Sequence, residues 1–243
     1  MSEYERLRVA IDGPAGAGKS TVARGLAERL GYLLLDTGAL YRTVALAARR
    51  AEIPWSDEAK VAALAAELEA TGAITVEALT SPDAESGAEA YGSGMRVRLH
   101  GEDVSEAIRA PEVSLGASRV SAIPGVRAAL LGMQRRAGQG GGVVIEGRDI
   151  GTVVFPDAEV KFFLTASTEV RARRRFEELE ARGAEVTLEA TMSEVIRRDR
   201  ADTERPVSPL RQAEDALVVD SSDRPAGEVI EEMARVVEER AAR

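Results

Sequence analysis

Short apolar runs alternate with longer stretches in which apolar residues recur every three or four positions. Leu7, Val9 and Ile11 form a first run; Val22, Ala23, Leu26, Ala27 and Leu30 follow at helical spacing and stop at Gly31. Tyr32 to Leu35 is a second run, ending in Asp36-Thr37-Gly38, after which Tyr41, Val44, Ala45 and Ala48 predict a helix closed by Pro54. Asp57 to Ala70 predicts another, with Leu64 and Leu68 on one face. Val143 to Ile145, Val160 to Leu164 and Ala216 to Val219 read as strands, and Pro225 to Glu239 as a closing helix with Val229, Ile230, Met233 and Val237 on its apolar side.

Apolar strands separated by amphipathic helices predict an α/β fold: a doubly wound parallel sheet of about five strands with helices on both faces. In such a sheet ligands collect at the carboxyl ends of the strands. Ile74 to Val76 and Met95 to Leu99 alternate apolar and polar residues instead, which predicts a small antiparallel sheet. Ala78 to Gly94 between them, rich in Ser, Gly, Glu and Pro, reads as a surface loop. Glu102 to Ala137 predicts helices interrupted at Pro111 and Pro124, with Leu115, Val120 and Leu130 in the core and Ser118, Arg119 and Arg127 as polar interruptions. Gly138 to Gly142 lacks a Gly-Lys-Ser ending and precedes a strand, so it reads as a plain flexible connection.

Between the first strand and first helix lies Gly13-Pro14-Ala15-Gly16-Ala17-Gly18-Lys19-Ser20-Thr21, a G-x-x-x-x-G-K-[ST] phosphate loop in the strand-to-helix position that its mechanism requires. Glycines let the backbone curl so that N–H groups face phosphate oxygens. Lys19 is placed to reach β- and γ-phosphates, the Ser20 hydroxyl to hold Mg²⁺, and the helix N-terminus to add positive potential.

Composition narrows the partners. With 243 residues, the default is one domain with room for an insert. A net charge of −9 argues against a general nucleic-acid binder, and no stretch is long and apolar enough to span a bilayer. Met1 to Arg8 has no apolar signal-peptide core, so a soluble cytoplasmic protein is expected. Cysteine is absent and His100 is the one histidine, which removes thiolate zinc sites and leaves little for a histidine site. Asparagine is absent too, which excludes the N-K-x-D guanine reader of GTPases and the catalytic-loop Asn of protein kinases.

Arginine supplies nearly all the positive charge, since only Lys19, Lys60 and Lys161 are lysines. Arg171, Arg173, Arg174 and Arg175 follow the Val160 to Leu164 strand. They read either as a solvated helix face pairing with Glu177, Glu178 and Glu180, or as a lid over about 167–185 whose guanidinium groups close on phosphates. Arg198, Asp202 and Arg205 share one helix face at spacings of four and three. They read either as a salt-bridge ladder or as two arginines gripping a phosphate while the carboxylate takes a sugar hydroxyl.

Five blocks carry a resemblance over nearly the whole chain: Ile11 to Thr21, Leu34 to Arg42 (L-L-D-T-G-A-L-Y-R), Gly101 to Ser105 (G-E-D-V-S), Glu146 to Ala158 (E-G-R-D-I-G-T-V-V-F-P-D-A), and Arg198 to Arg205 followed by Ser208-Pro209-Leu210. In these the sequence resembles bacterial cytidylate (CMP/dCMP) kinases, of the nucleoside-monophosphate-kinase group within the P-loop fold. The resemblance implies acceptor-side contacts at Thr37 and Arg42, cytosine readers at Ser118, Arg127 and Asp149, phosphate ligands at Arg148, Arg198 and Arg205, and a sugar contact at Asp202. It also implies that about 74–109 is an insert that binds the nucleoside monophosphate, that ATP and Mg²⁺ are used, that CMP and dCMP are accepted, and that the protein is a monomer. Lys19, Arg148, Arg174 and Arg198 are then the expected catalytic cations.

Cytosine presents N4–H₂ as donor and O2 and N3 as acceptors, which a carboxylate, an arginine and a hydroxyl can match. A kinase for another small acceptor (UMP, shikimate, dephospho-coenzyme A) or a nucleotide-dependent regulatory ATPase would share the phosphate loop. The Glu146 to Ala158 block speaks against the first and an arginine-lined second site against the other.

Overall fold

The computed structural model describes residues 6–78, 95–181 and 183–242. Five parallel strands form the main sheet: β1 (Arg8–Asp12), β2 (Leu33–Asp36), β6 (Val143–Gly147), β7 (Val160–Thr165) and β8 (Leu217–Asp220), in the order β2-β6-β1-β7-β8. β1 and β6 lie inside the sheet with both faces covered, which is why Val9, Ala10, Ile11 and Val143, Val144, Ile145 run as consecutive apolar residues. The doubly wound fold expected from the alternating pattern is the fold observed.

Alternate residues of the central strands feed two cores. On one face Val9, Ile11, Val144, Phe162 and Leu164 pack against α1 (Lys19–Leu30) and α8 (Ala226–Ala241) through Val22, Leu26, Val229, Met233 and Val237. On the other face Ala10, Val143 and Ile145 meet α2 (Thr37–Arg50), α3 (Glu58–Ala70), α4 (Pro111–Val120) and α5 (Pro124–Gly138) through Leu40, Val44, Leu68, Val113 and Leu130. Phe162 is fully buried, and truncating it to alanine would cost about 3–5 kcal/mol.

The second core also holds the three-stranded antiparallel sheet β3 (Ile74–Ala78), β4 (Met95–Leu99) and β5 (Glu102–Asp103). Met95, Val97 and Leu99 are buried while Arg96 and Arg98 turn outward, the period of two seen in the sequence. The insert therefore shares a core with the parallel sheet. The loop expected between its strands falls at 79–94, outside the described residues.

Three expectations are corrected. Leu115 is 37% exposed, because α4 packs with Val113, Ala117 and Val120 and turns Leu115 outward. Glu102 opens a strand, not a helix; Ala107–Arg109 is a 3₁₀ turn, and helix begins only where Pro111 supplies a preset φ at a first turn. Gly138 to Gly142 is built, not merely flexible. Gly138 ends α5, Gly141 has φ +63° with room for no Cβ (1.9 Å from the Arg6 carbonyl oxygen), and Gly142 bonds to Leu7, just before β1, and to Leu33 at the start of β2.

Candidate active site

The carboxyl ends of β1, β2 and β6 open into one cleft of about 710 Å³. Its floor is the loop between β1 and α1. Gly13 (φ +151°) packs so closely on β7 that a Cβ would lie 1.9 Å from the Leu164 carbonyl oxygen. α1 starts after Gly18 with no side-chain cap, so the N–H groups of its first turn keep no intrahelical partner and suit an anion. The carbonyls of Ala17 and Ala15 are taken by Ser221 Oγ (3.0 Å) and Arg171 (3.2 Å), which brace the loop.

Lys19 is buried, its Nζ donating to the Pro14 carbonyl at 2.7 Å. Burial first, then Arg148, pulls its ammonium well below the ordinary lysine value, against the pull of Glu146 and Asp202. The Ser20 hydroxyl donates to Glu146 at 3.0 Å, and the other Glu146 oxygen, Oε1, is buried without a hydrogen-bond partner. Burial and Asp36 push the Glu146 carboxyl up. An added cation would relieve both the orphaned oxygen and this repulsion, so a hydroxyl beside a carboxylate here fits a largely hydrated Mg²⁺.

Opposite the loop stands a wall of guanidinium groups. Arg198 projects from α7 (Leu188–Glu204) with Nε buried and unbonded, and burial followed by Arg148 lowers its pKa to about 10. Arg148 Nε donates to Asp202 at 3.0 Å. Burial works to raise Asp202, but Arg148 and Arg198 outweigh it and hold the carboxyl below its usual range. Arg127 is hydrogen-bonded to Asp149, while Arg205 approaches Asp149 at 3.8 Å and keeps its Nη2 without a hydrogen-bond partner. Buried donors with open valences among several like charges make a strong site for a phosphate dianion.

The residues expected from the sequence come together. Ala15, Gly16, Gly18, Lys19, Ser20, Thr21, Thr37, Arg42, Ser118, Arg127, Arg148, Asp149, Arg174, Arg198, Asp202 and Arg205 all line this one cleft. Gly13, Pro14 and Ala17 are buried beside it instead. Thr37 donates to the Glu146 carbonyl at 2.7 Å, and Arg42 pairs with Asp36 at 2.6 Å. The open alternatives for the arginines divide residue by residue. Arg171 on α6 (Thr168–Ala181) is buried and spent on Asp199, Ala166, Thr168 and Ala15, so it braces the base of the hairpin that α6 and α7 form. Arg174 reaches the cleft while donating to Ser221, and Arg175 pairs with Glu178. Arg198, Asp202 and Arg205 form no ladder among themselves: Asp202 is paired with Arg148.

Several cleft residues escaped sequence reasoning. Arg109, at the end of the insert, lines the cleft and lies close enough to Asp36 to lower its pKa, though burial and Arg42 act more strongly on that group. Tyr41 looked like an ordinary apolar helix position; it is half-buried beneath the Arg127 guanidinium, 5.6 Å from the ring centre. Asp36 ends β2 and Glu146 lies one residue from the end of β6, both at the carboxyl edge of the sheet, a position that could have marked them.

Fold and cleft together define a nucleotide-binding phosphotransferase architecture: a phosphate loop facing a second anion site across the edge of a parallel sheet. The family model described as cytidylate kinase matches residues 9–239, and the chain belongs to that family. A cytidylate kinase from Syntrophotalea carbinolica is 52% identical over 235 residues, 97% of this chain and 93% of that protein. Another, from Geobacter sp. (strain M21), is 53% identical over 234 residues, covering 96% and 94%. A solved gluconokinase from Sinorhizobium meliloti overlaps 99% of this chain and 96% of its own, at 16% identity and a TM-score of 0.47.

Proposed function

We propose that the protein transfers the γ-phosphoryl group of ATP to CMP or dCMP, giving ADP and CDP or dCDP. The observation that carries this reading is a single cleft in which an amide-and-lysine cradle faces a guanidinium wall that also contains the carboxylate of Asp149. The acceptor is its own nucleophile: a phosphate monoester, with a second pKa of about 6, is mostly dianionic at neutral pH, so no side-chain base is needed. The work left to the protein is to offset repulsion between two phosphate clusters, align them and keep water out.

In this reading Lys19 and the α1 N-terminus hold the donor phosphates, with Arg174 and Arg198 countering charge on the transferring group. Arg148, Arg198 and Arg205 hold the acceptor phosphate, and Asp202 takes a sugar hydroxyl. Asp149 accepts from the cytosine N4 amine, with Ser118 and Arg127 on the other ring atoms; uracil, a carbonyl at that position, would leave Asp149 mismatched. Ser20 and Glu146 would hold Mg²⁺, which when bound supplies charge neutralisation between the β- and γ-phosphates. Thr37, Arg42 and the insert over about 74–109 close the acceptor side, and about 167–185 acts as the lid.

A monomer in the cytoplasm belongs to the same proposal. Both substrates are small nucleotides found there, and no helix among the described residues is long and apolar enough to cross a membrane. The test is a substrate panel with ATP and Mg²⁺: CMP or dCMP should be the fastest acceptor, and faster turnover of UMP or AMP overturns the reading.

A further inference from the structure

Asp12 ends β1, one residue before the phosphate loop, and is buried. Its two carboxylate oxygens accept from separate main-chain donors on another part of the chain, Ile150 N at 2.8 Å and Gly151 N at 2.7 Å. Those N–H groups open a single π-helical turn, Ile150–Val154, that Asp149 does not cap itself. Arg148 and Asp149, both in the cleft, immediately precede this turn.

A carboxylate is a costly way to finish a central strand. Burial pushes the Asp12 carboxyl up to about 6, although the amides of Gly151 and Ile150 oppose the shift; Asp149 adds to it and Lys19 reduces it. An apolar side chain would carry no such cost, but it would leave two buried N–H groups unpaired and the turn free to move. π-helical turns are otherwise rare and concentrate at functional sites.

We propose that Asp12 is a positioning residue for acceptor recognition. It ties the turn that follows Arg148 and Asp149 to the strand that delivers the phosphate loop, and so fixes the offset between the acceptor readers and the donor cradle. The proposal rests on the CMP-phosphorylating reading given above. It differs from a general structural role in one respect: loosening this tie should disturb the acceptor side and leave ATP binding nearly unchanged.

Asp12→Asn, which turns one acceptor oxygen into a donor facing an N–H, is compared with wild type for ATP, CMP and UMP. The KM for CMP should rise at least about tenfold, the preference for CMP over UMP should fall by a similar factor, and the KM for ATP should stay within about twofold. Equal rises for ATP and CMP, or an unchanged CMP KM and selectivity, overturn the proposal. Should Asp12→Asn not fold, Gly151→Ala carries the test. Its added methyl would sit 3.1 Å from the Lys161 side chain and 3.5 Å from Asp12 Oδ2, close enough to shift the turn slightly. A rise of about twofold to fivefold in the CMP KM alone is expected, and no change overturns the idea. A wild-type enzyme that does not phosphorylate CMP overturns the functional reading and this proposal together; parallel losses in Asp12→Asn with an active wild type overturn this one alone.

Discussion

The loop end of the cleft and the arginine end are both built for phosphate, by different means. At the loop end the anion site is mostly main chain: glycine conformations, the start of α1 and carbonyls braced from outside, with Lys19 the charged side chain that the loop itself carries. At the arginine end it is side chains delivered from α5, from the turn after β6 and from α7. A main-chain site comes from one contiguous stretch and recognises phosphate without caring what else is attached. A side-chain site has to be assembled by the fold, and in return it can include carboxylates that discriminate among bases and sugars, the roles proposed above for Asp149 and Asp202.

That contrast predicts graded consequences. Lys19→Ala should be the most severe change, lowering kcat by about 10³-fold, because it removes the cation proposed to hold the donor phosphates; steady-state assays at saturating ATP and CMP check it. Asp149→Ala should lower kcat/KM for CMP by about 10²-fold while the KM for ATP stays within about threefold. An equal loss on both substrates would erase the distinction between the two ends.

Asp12 sharpens the contrast through stability. Its folded pKa, about 6, lies above the ordinary 3.8, so the folded state binds the proton more tightly. The stabilisation is fully present below about pH 4 and is lost as pH rises through about 6, to the extent of roughly 1–3 kcal/mol. Urea unfolding between about pH 4 and 7 should show a steeper fall in wild type than in Asp12→Asn, where the raised Glu146 carboxyl still contributes its own slope. Comparable in size is the effect at the hairpin: Asp199→Ala, which removes the carboxylate partner of the buried Arg171, should cost about 1–3 kcal/mol. Glu204→Ala, which breaks only the exposed pair with Arg200, should cost at most about 0.5 kcal/mol by thermal melting.

Legibility in the sequence followed the same division. The phosphate loop was readable because its residues are adjacent and its geometry is local. The inner strands β1, β6 and β7 were readable because burial on both faces demands apolar runs, and the edge strands β2 and β8 because they too are short apolar runs, although Leu33, Leu217 and Val218 are exposed. Arg148, Asp149, Arg198, Asp202 and Arg205 could be named individually through their resemblance to a family, but not their pairings. Nothing in the spacing says that Arg148 takes Asp202 or that Arg127 and Arg205 share Asp149. Tyr41 and Asp12 were missed because a half-buried tyrosine and a strand-ending carboxylate look the same in sequence whether or not they support a site. Leu115 was misplaced because helical period alone does not say which way α4 is rotated.

The cationic cleft belongs to a chain whose net charge is −9. Most of the surface therefore repels incoming nucleotides, and the electric field draws them toward the cleft. A polyanion approaching at random would turn the molecule mouth-first during diffusional encounter, an orienting influence that fades once added salt shortens the Debye length to a few ångströms.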